Sequence, residues 1–430
     1  MKRILFFAVA AAAALHGLAA LRTEAVSDPM EEIFAGCPEM AGGIYFAYPV
    51  DRDSVAPAPE GFEPVYISHY GRHGSRWPVK EKIYKVCTEF FQQQQLLENV
   101  TPEGKGVWKL VNRCYGDAAG HLGELTQKGE RQHRAIAERL VASFPTLFAD
   151  SARVVMRSSV VPRCIMSMAA FSDRLRELNP DLRISRHASP GDMEFMDHKS
   201  PELALMTGDD APWMWDFHTY RDSVSTCRDA ALRLFKKVPE NDSLPLFMRS
   251  LYDIAISVQN IDSLEADIFS VFTPAELAGL WKSNNYIQYV GCGNTPVGEY
   301  AGVRCAVPLL DEIVERADEM LASGEVRADL RFGHDTSLLR LVSLTGIGGN
   351  GSDTEDPEVA ARVWRNFEIS PMGANLQLIF YKNKKGEVIV APRLNEVPVA
   401  VSDVPQVAPG FYDWELLKIY FKSLPEQTRQ

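Results

Sequence analysis

The sequence predicts an α/β protein, a mainly parallel sheet with helices on both faces, carrying a helical insertion. Three observations support this. A buried-strand pattern, a turn and a helical apolar stripe recur in that order three times. Between about 195 and 300, strand signals are scarce while helical periodicity dominates. The 430 residues, 46% hydrophobic and 24% charged, are too many for one simple domain and too apolar for a disordered or low-complexity chain. The expected division is 1–25 as a leader, 26–194 with 301–430 as the α/β domain, and 195–300 as a helical cap.

Each segment has its own signal. Met1–Arg3 give a positive start, Ile4–Ala14 an apolar run and Gly17-Leu18-Ala19 a small-residue site, the pattern of a secretory signal peptide. Arg22 and Glu24 close the apolar stretch too early for a membrane span, and no later segment is expected to cross a bilayer. The protein is therefore expected to be exported, periplasmic or secreted. Pro64–Tyr70 reads as a buried strand and Gly71–Pro78 as a turn. A helix is expected from Pro78, with Ile83, Val86, Cys87 and Phe90 on one face. Ala152–Met156 forms the second strand, Arg157–Pro162 its turn, and Ile165, Met168 and Ala169 the following stripe. Ala328–Phe332 forms the third, with Gly333-His334-Asp335 as turn and Leu338, Leu341 and Val342 as stripe. In the insertion, Cys227, Ala230, Ala231, Leu234 and Val238 share a helical face. Asn375–Tyr381 and Glu387–Leu394 alternate around Lys384-Lys385-Gly386 as a hairpin. Seven cysteines without a CxxC pair argue against a structural zinc site, and their odd number leaves at least one free thiol.

Ligands of such sheets bind beyond the carboxyl ends of the strands, so the three turns should meet at one edge. The first turn, Arg72-His73-Gly74-Ser75-Arg76-Trp77-Pro78, sets two guanidinium groups around an imidazole. Their mutual repulsion is hard to justify unless an anion sits among them, and an arginine fork matches phosphate oxygens. Arg163 opens the second helix, where backbone N–H groups also favour an anion. The third turn adds His334 and Asp335, the latter expected to cap its helix. No metal and no cofactor are implied. The formal charge of −12, with 57 acidic against 45 basic residues, makes a nucleic-acid or anionic-membrane partner improbable. The expected partner is a phosphorylated small molecule held in a locally basic pocket, and nothing in the sequence sets the oligomeric state.

The first turn matches the RHGxRxP signature of the histidine acid phosphatases, and Gly333-His334-Asp335 resembles their HD motif. Gly123–Gly129 (GELTQKG) is similar to the family's G-x-L-T-x-x-G segment, and Arg163, with Ser167 behind it, stands where the family places a third phosphate-binding arginine. The resemblance spans about residues 60–400 and implies a phosphoglycerate-mutase-like fold. It also implies roles: His73 as nucleophile, Asp335 as proton donor to the leaving group, and Arg72, Arg76, Arg163 and His334 as the phosphate pocket. Ser68-His69-Tyr70-Gly71 and Arg393-Leu394-Asn395-Glu396 resemble the multiple inositol polyphosphate phosphatases most, and phytate is the expected substrate. Those enzymes usually carry His-Ala-Glu where this chain has His334-Asp335, an arrangement more like phytases and general acid phosphatases. Lys80 lies where related phytases use a lysine for distal phosphates.

Rival readings fare worse. A general acid phosphatase acting on sugar or aryl phosphates shares the whole constellation and differs only in substrate. A non-catalytic phosphate-binding protein would be expected to lack His73 or Asp335, and both are present. A mutase-like isomerase would share the Arg-His-Gly turn but not an export signal. Gly346–Gly351 satisfies GxGxxG but follows a helix and runs into an acidic loop. Cys227 to Arg233 satisfies Cys-x5-Arg, yet it has no glycine and lies on an amphipathic helix.

Overall fold

A computed structural model describes residues 28–48 and 57–428, so the leader assigned to 1–25 lies outside the described residues. Its sheet holds β1 (Phe62–Arg72), β2 (Arg153–Ser158), β3 (Arg183–His187), β4 (Ala328–Gly333), β5 (Asn375–Asn383) and β6 (Val388–Leu394). The short strands β7 (Val397–Pro398), β8 (Gln406–Ala408) and β9 (Phe411–Asp413) complete it. The spatial order is β3-β2-β4-β1-β5-β6-β9-β8, with β7 against β6. The four strands from β3 to β1 are mutually parallel, and β5 to β9 extend the sheet in antiparallel fashion. β1, β2 and β4 are the three expected strands and the β5–β6 hairpin is the expected one. Residues 66–72 of β1 are buried without alternation, as a strand covered on both faces requires.

The principal helices are α1 (Lys82–Leu96), α2 (Pro102–Ala118), α3 (Gln127–Ser143), α4 (Pro162–Leu178), α5 (Leu244–Val258), α6 (Pro274–Cys292), α7 (Val307–Ser323), α8 (Asp335–Thr345) and α9 (Trp414–Gln427). One sheet face packs Met156, Leu330, Phe332 and Ile379 against Ile136 and Leu140 of α3 and Phe171 and Leu175 of α4. On the other, Tyr66, Leu378 and Phe380 meet Ile313 of α7, Leu338 of α8 and Leu417 of α9. A second core joins Tyr84 and Phe91 of α1, Val111 of α2, Phe247 and Leu251 of α5, and Trp281 of α6. This helical body thus draws on residues 82–118 as well as on the insertion. Other insertion residues, Met196, Phe217 and Tyr289 among them, join the core of the α/β layer.

Two local expectations are corrected. Helix α1 starts at Lys82, not at Pro78, because Pro78 is buried in the turn, where its carbonyl accepts the N–H of Gly123. Val238 lies beyond the helix that carries the rest of its expected face, since that helix ends at Leu234 before Phe235 bridges to Val100. Among the described residues no helix is long and apolar enough to cross a membrane, and no disulfide joins the seven cysteines.

Candidate active site

The sheet register brings the predicted turns together. Arg72 lies opposite Gly333 and Ser158 opposite Phe332. Just beyond, the N–H of His73 donates to the Gly333 carbonyl (3.0 Å) and that of Ser159 to the Phe332 carbonyl (2.9 Å). The turn after β1 is then clamped from outside by the 123–129 segment. The N–H (2.9 Å) and Oγ1 (3.1 Å) of Thr126 both donate to the Ser75 carbonyl, while the same Oγ1 caps α3 by accepting from the Gly129 N–H. A Cβ on Gly74 would lie 2.5 Å from the Gly129 carbonyl oxygen, and one on Gly129 would lie 2.3 Å from that of Ser75. Two backbones therefore touch where only glycine fits, which explains the glycines in both segments. Gln132 Oε1 accepts the Ser75 N–H (2.8 Å), Ser167 Oγ accepts that of Gly74 (3.1 Å), and Ser75 Oγ donates to Asn260 Oδ1 (2.6 Å).

His73 is fixed by this frame. It is 1% exposed, with Nδ1 2.9 Å from the Gly74 carbonyl oxygen. That oxygen can only accept, so Nδ1 carries the proton and Nε2 the lone pair. Arg72 is fully buried, bonded through Nη1 to the Ile44 and Ser370 carbonyls, with Nη2 3.5 Å from Asp335. Arg76 stacks over the Tyr45 ring (4.9 Å) and donates to its hydroxyl (3.1 Å). Arg163 approaches His334 (Nη2 to Nδ1, 3.5 Å), and the other ring nitrogen of His334 lies 3.1 Å from Ser159 Oγ. The His73 and His334 rings meet edge to face at 5.9 Å. Nε and Nη2 of Arg72 and Nε of Arg76 and Arg163 are buried without a protein hydrogen bond. Such donors are costly unless an acceptor arrives.

Burial, together with Arg72, Arg76 and Arg163, holds the His73 pKa well below its ordinary value. Burial pushes Arg72 down to about 10 against the pull of Asp335. Burial, then Arg163, also lowers His334. The imidazole at the centre is thus neutral at physiological pH despite its cationic surroundings. For Asp335 the structure corrects one expectation, the helix cap. His334 occupies the cap position of α8, Asp335 is its first helical residue, and the Asp335 carboxylate faces Arg72. Burial raises its pKa, but Arg72, Arg76 and His334 outweigh that and hold it below the carboxylate norm. Before any phosphate arrives the group is ionised.

Two cavities of about 500 Å³ each meet at Arg163. The first has Arg163, His334 and Asp335 on its inner wall and Asp197, Lys199 and Arg340 farther out. The second runs past Trp77 and His121, whose rings stack at 4.9 Å. Lys80 is exposed and lines neither cavity, and its charge acts on Asp253 of α5. Sequence reasoning missed Tyr45, Ser159, Asn260, Lys199 and Arg340. Only Arg340 carried a signal, as a charge amid the apolar residues of α8 (LLRLV). Among the described residues, no three metal-ligating side chains gather at one point.

Residues 71–391 match the histidine phosphatase superfamily, branch 2. The chain is 25% identical over 397 residues to multiple inositol polyphosphate phosphatase 1 of Gallus gallus, covering 85% of this chain and 83% of the relative. The Homo sapiens protein of that name is 26% identical over 406 residues, 84% of this chain and 79% of the relative. The crystal structure of Bifidobacterium longum multiple inositol polyphosphate phosphatase in complex with inositol hexasulfate superposes with a TM-score of 0.75 at 18% identity, over 89% of this chain and 97% of that one. The phytase from D. castellii gives 0.64 at 14% identity, over 95% and 90%. With the motif residues gathered at one sheet edge and three quarters of the chain matched, this protein belongs to the histidine phosphatase superfamily, branch 2.

Proposed function

We propose that this phosphatase hydrolyses inositol polyphosphates through a phosphohistidine on His73. The observation that carries the reading is a neutral imidazole, its Nδ1–H fixed on Gly74, set among buried arginine N–H groups that have no acceptor. An incoming phosphate supplies the missing acceptors. Nε2 of His73 attacks phosphorus in line while Arg72, Arg76, Arg163 and His334 balance the charge on the non-bridging oxygens. The P–O bond to the leaving group breaks, and Asp335 gives its proton to the departing alkoxide. Asp335 then takes a proton from water as that water attacks the phosphohistidine, which releases inorganic phosphate and restores both groups.

Because the arginines keep Asp335 ionised in the empty pocket, its proton must be acquired with the substrate. Phosphate binding to the arginines weakens their hold on the carboxyl and places a dianion beside it, and both effects raise its pKa. The substrate assignment draws on the inositol polyphosphate phosphatases among the relatives and on a cavity wider than one phosphate. Export rests on the Met1–Ala19 pattern alone, and the N-terminus of the mature protein tests it. For the activity, purified protein is offered phytate, sugar monophosphates and an aryl phosphate. The reading expects kcat/KM highest for phytate and a radiolabelled phosphate trapped on His73 by rapid quench. Higher kcat/KM for sugar or aryl phosphates would leave a general acid phosphatase, and no turnover of any ester would leave a binding protein.

A further inference from the structure

We infer that Arg340 is a second anion site, which holds a distal phosphate while the first reacts at His73. The inference rests on the phosphatase reading and names the kind of substrate it takes: an ester with two or more phosphates near one another. Arg340 is 8% exposed, and its side chain lines the cavity that His334 and Asp335 share. Buried arginines are normally paired. Arg331 of β4, fully buried, has Glu312, and the partly buried Arg157 and Arg316 share Asp329. Arg340 has no carboxylate within ion-pair distance among the described residues; Nε donates to the Gly291 carbonyl (3.3 Å). The nearby Cys292 thiol offers no charge, since burial raises its pKa and keeps it protonated.

The placement suits a distal site. Thr336 and Arg340 are four residues apart on α8, so they lie on one helix face, and both line the cavity. Helical side chains slant toward the helix N-terminus, which directs Arg340 back over Thr336, one turn (about 6 Å) along the axis and next to Asp335 in the chain. The one carboxylate in the outer wall, Asp197, is already engaged by Lys199 (3.2 Å). A phosphate beyond the reacting one would therefore meet an uncompensated guanidinium, with Lys199, 73% exposed, at the rim. Nothing in this wall would be needed by a substrate with a single phosphate.

The test is the ratio of kcat/KM for inositol hexakisphosphate to that for p-nitrophenyl phosphate, measured in wild type and in Arg340→Gln. Loss of a charge-assisted bond to phosphate should lower the ratio about ten- to a hundredfold, mainly through KM of the polyphosphate. An unchanged ratio, whether both substrates suffer equally or neither does, overturns the role. Should Arg340→Gln fail to fold, Arg340→Lys keeps a cation but loses the fork, and a fall of about fivefold is then expected, with an unchanged ratio again overturning it. A wild-type protein that hydrolyses neither ester would instead remove the phosphatase reading beneath the inference.

Discussion

The two walls of the pocket are built in opposite ways. The inner wall comes from the turns after β2 and β4, and the turn after β1, which meets it through His73 against His334 and Arg72 against Asp335, is locked by backbone contacts: Gly74 against Gly129, Ser75 against Thr126, and the Arg72 guanidinium against two carbonyls. The outer wall comes from short segments between 193 and 207 and from the first turns of α8, and its contacts are side-chain ones such as Lys199 with Asp197. On the proposed reading, chemistry that must hold a transition state within tenths of an ångström falls on the rigid wall, and contacts that only select a substrate fall on the other.

The largest effects should therefore come from the inner wall. His73→Ala should lower kcat by at least about three orders of magnitude while the protein stays folded, since replacing a neutral, buried ring strands no charge and costs only the cavity it leaves. Gly74→Ala should abolish activity by a different route. Its Cβ would meet backbone that cannot yield, so a stability loss of about 3 kcal/mol is expected in denaturant titration. If Gly74→Ala folds as well as wild type, the rigid-wall account fails.

Asp335→Asn comes next. For esters with poor leaving groups kcat should fall about 10²–10⁴-fold, whereas an aryl phosphate should still form the phosphohistidine, which then accumulates because its hydrolysis lacks a base. Calorimetry of inorganic phosphate binding in buffers of different ionisation enthalpy sharpens this. Wild type should take up about one proton more than Asp335→Asn at neutral pH, because the empty site holds that carboxyl ionised and the phosphate's own protonation change is common to both. Equal uptake by both proteins would place the proton elsewhere.

What the sequence made legible follows the same division. The turn after β1 was readable because its chemistry is concentrated in seven consecutive residues, and the strands of the three units were readable because a run buried on both faces leaves an apolar pattern. The start of α1 was not, since it depends on a bond from Gly123 to Pro78, and neither was the orientation of Asp335, which is decided by Arg72 from another strand. Tyr45 and Asn260 reach the turn from segments with no motif. Apart from its α8 residues, the outer wall is assembled from four- to seven-residue helical pieces whose caps, such as Ser200, look like any other serine.

Beneath the inner wall lie two further buried histidines, His69 and His133, each against the Phe332 ring. Burial, then His133 and Arg331, pushes His69 down to about 3, and burial pushes His133 down to about 4. In the unfolded chain both titrate near 6.5, so between about pH 6.5 and 4 the unfolded state binds more protons and stability falls as pH falls. Each ring contributes a slope of up to about 1.4 kcal/mol per pH unit in that window. Urea titrations from pH 7 to 4 should show His133→Asn reducing the slope while Asp335→Asn does not reduce it. A slope unchanged by His133→Asn would mean that the ring is already charged in the folded protein.

The smallest effect is expected at Lys80. It follows the signature turn by two residues and was expected to serve distal phosphates, but it is exposed and lines neither cavity. Its charge acts instead on Asp253 of α5, whose carboxyl burial raises to about 7 while Lys80 and then Arg249 oppose the rise. An exposed cation near a carboxylate contributes little to a ligand elsewhere, because water and salt screen it and its partner offsets it. Lys80→Ala should therefore raise KM for inositol hexakisphosphate by less than about threefold, an effect that fades as ionic strength rises, whereas the Arg340→Gln effect should persist in salt because that guanidinium is buried. The pair separates long-range attraction from contact. A Lys80→Ala effect as large as that of Arg340→Gln, and equally resistant to salt, would place Lys80 in direct contact with the substrate and move the distal site to the side of α5.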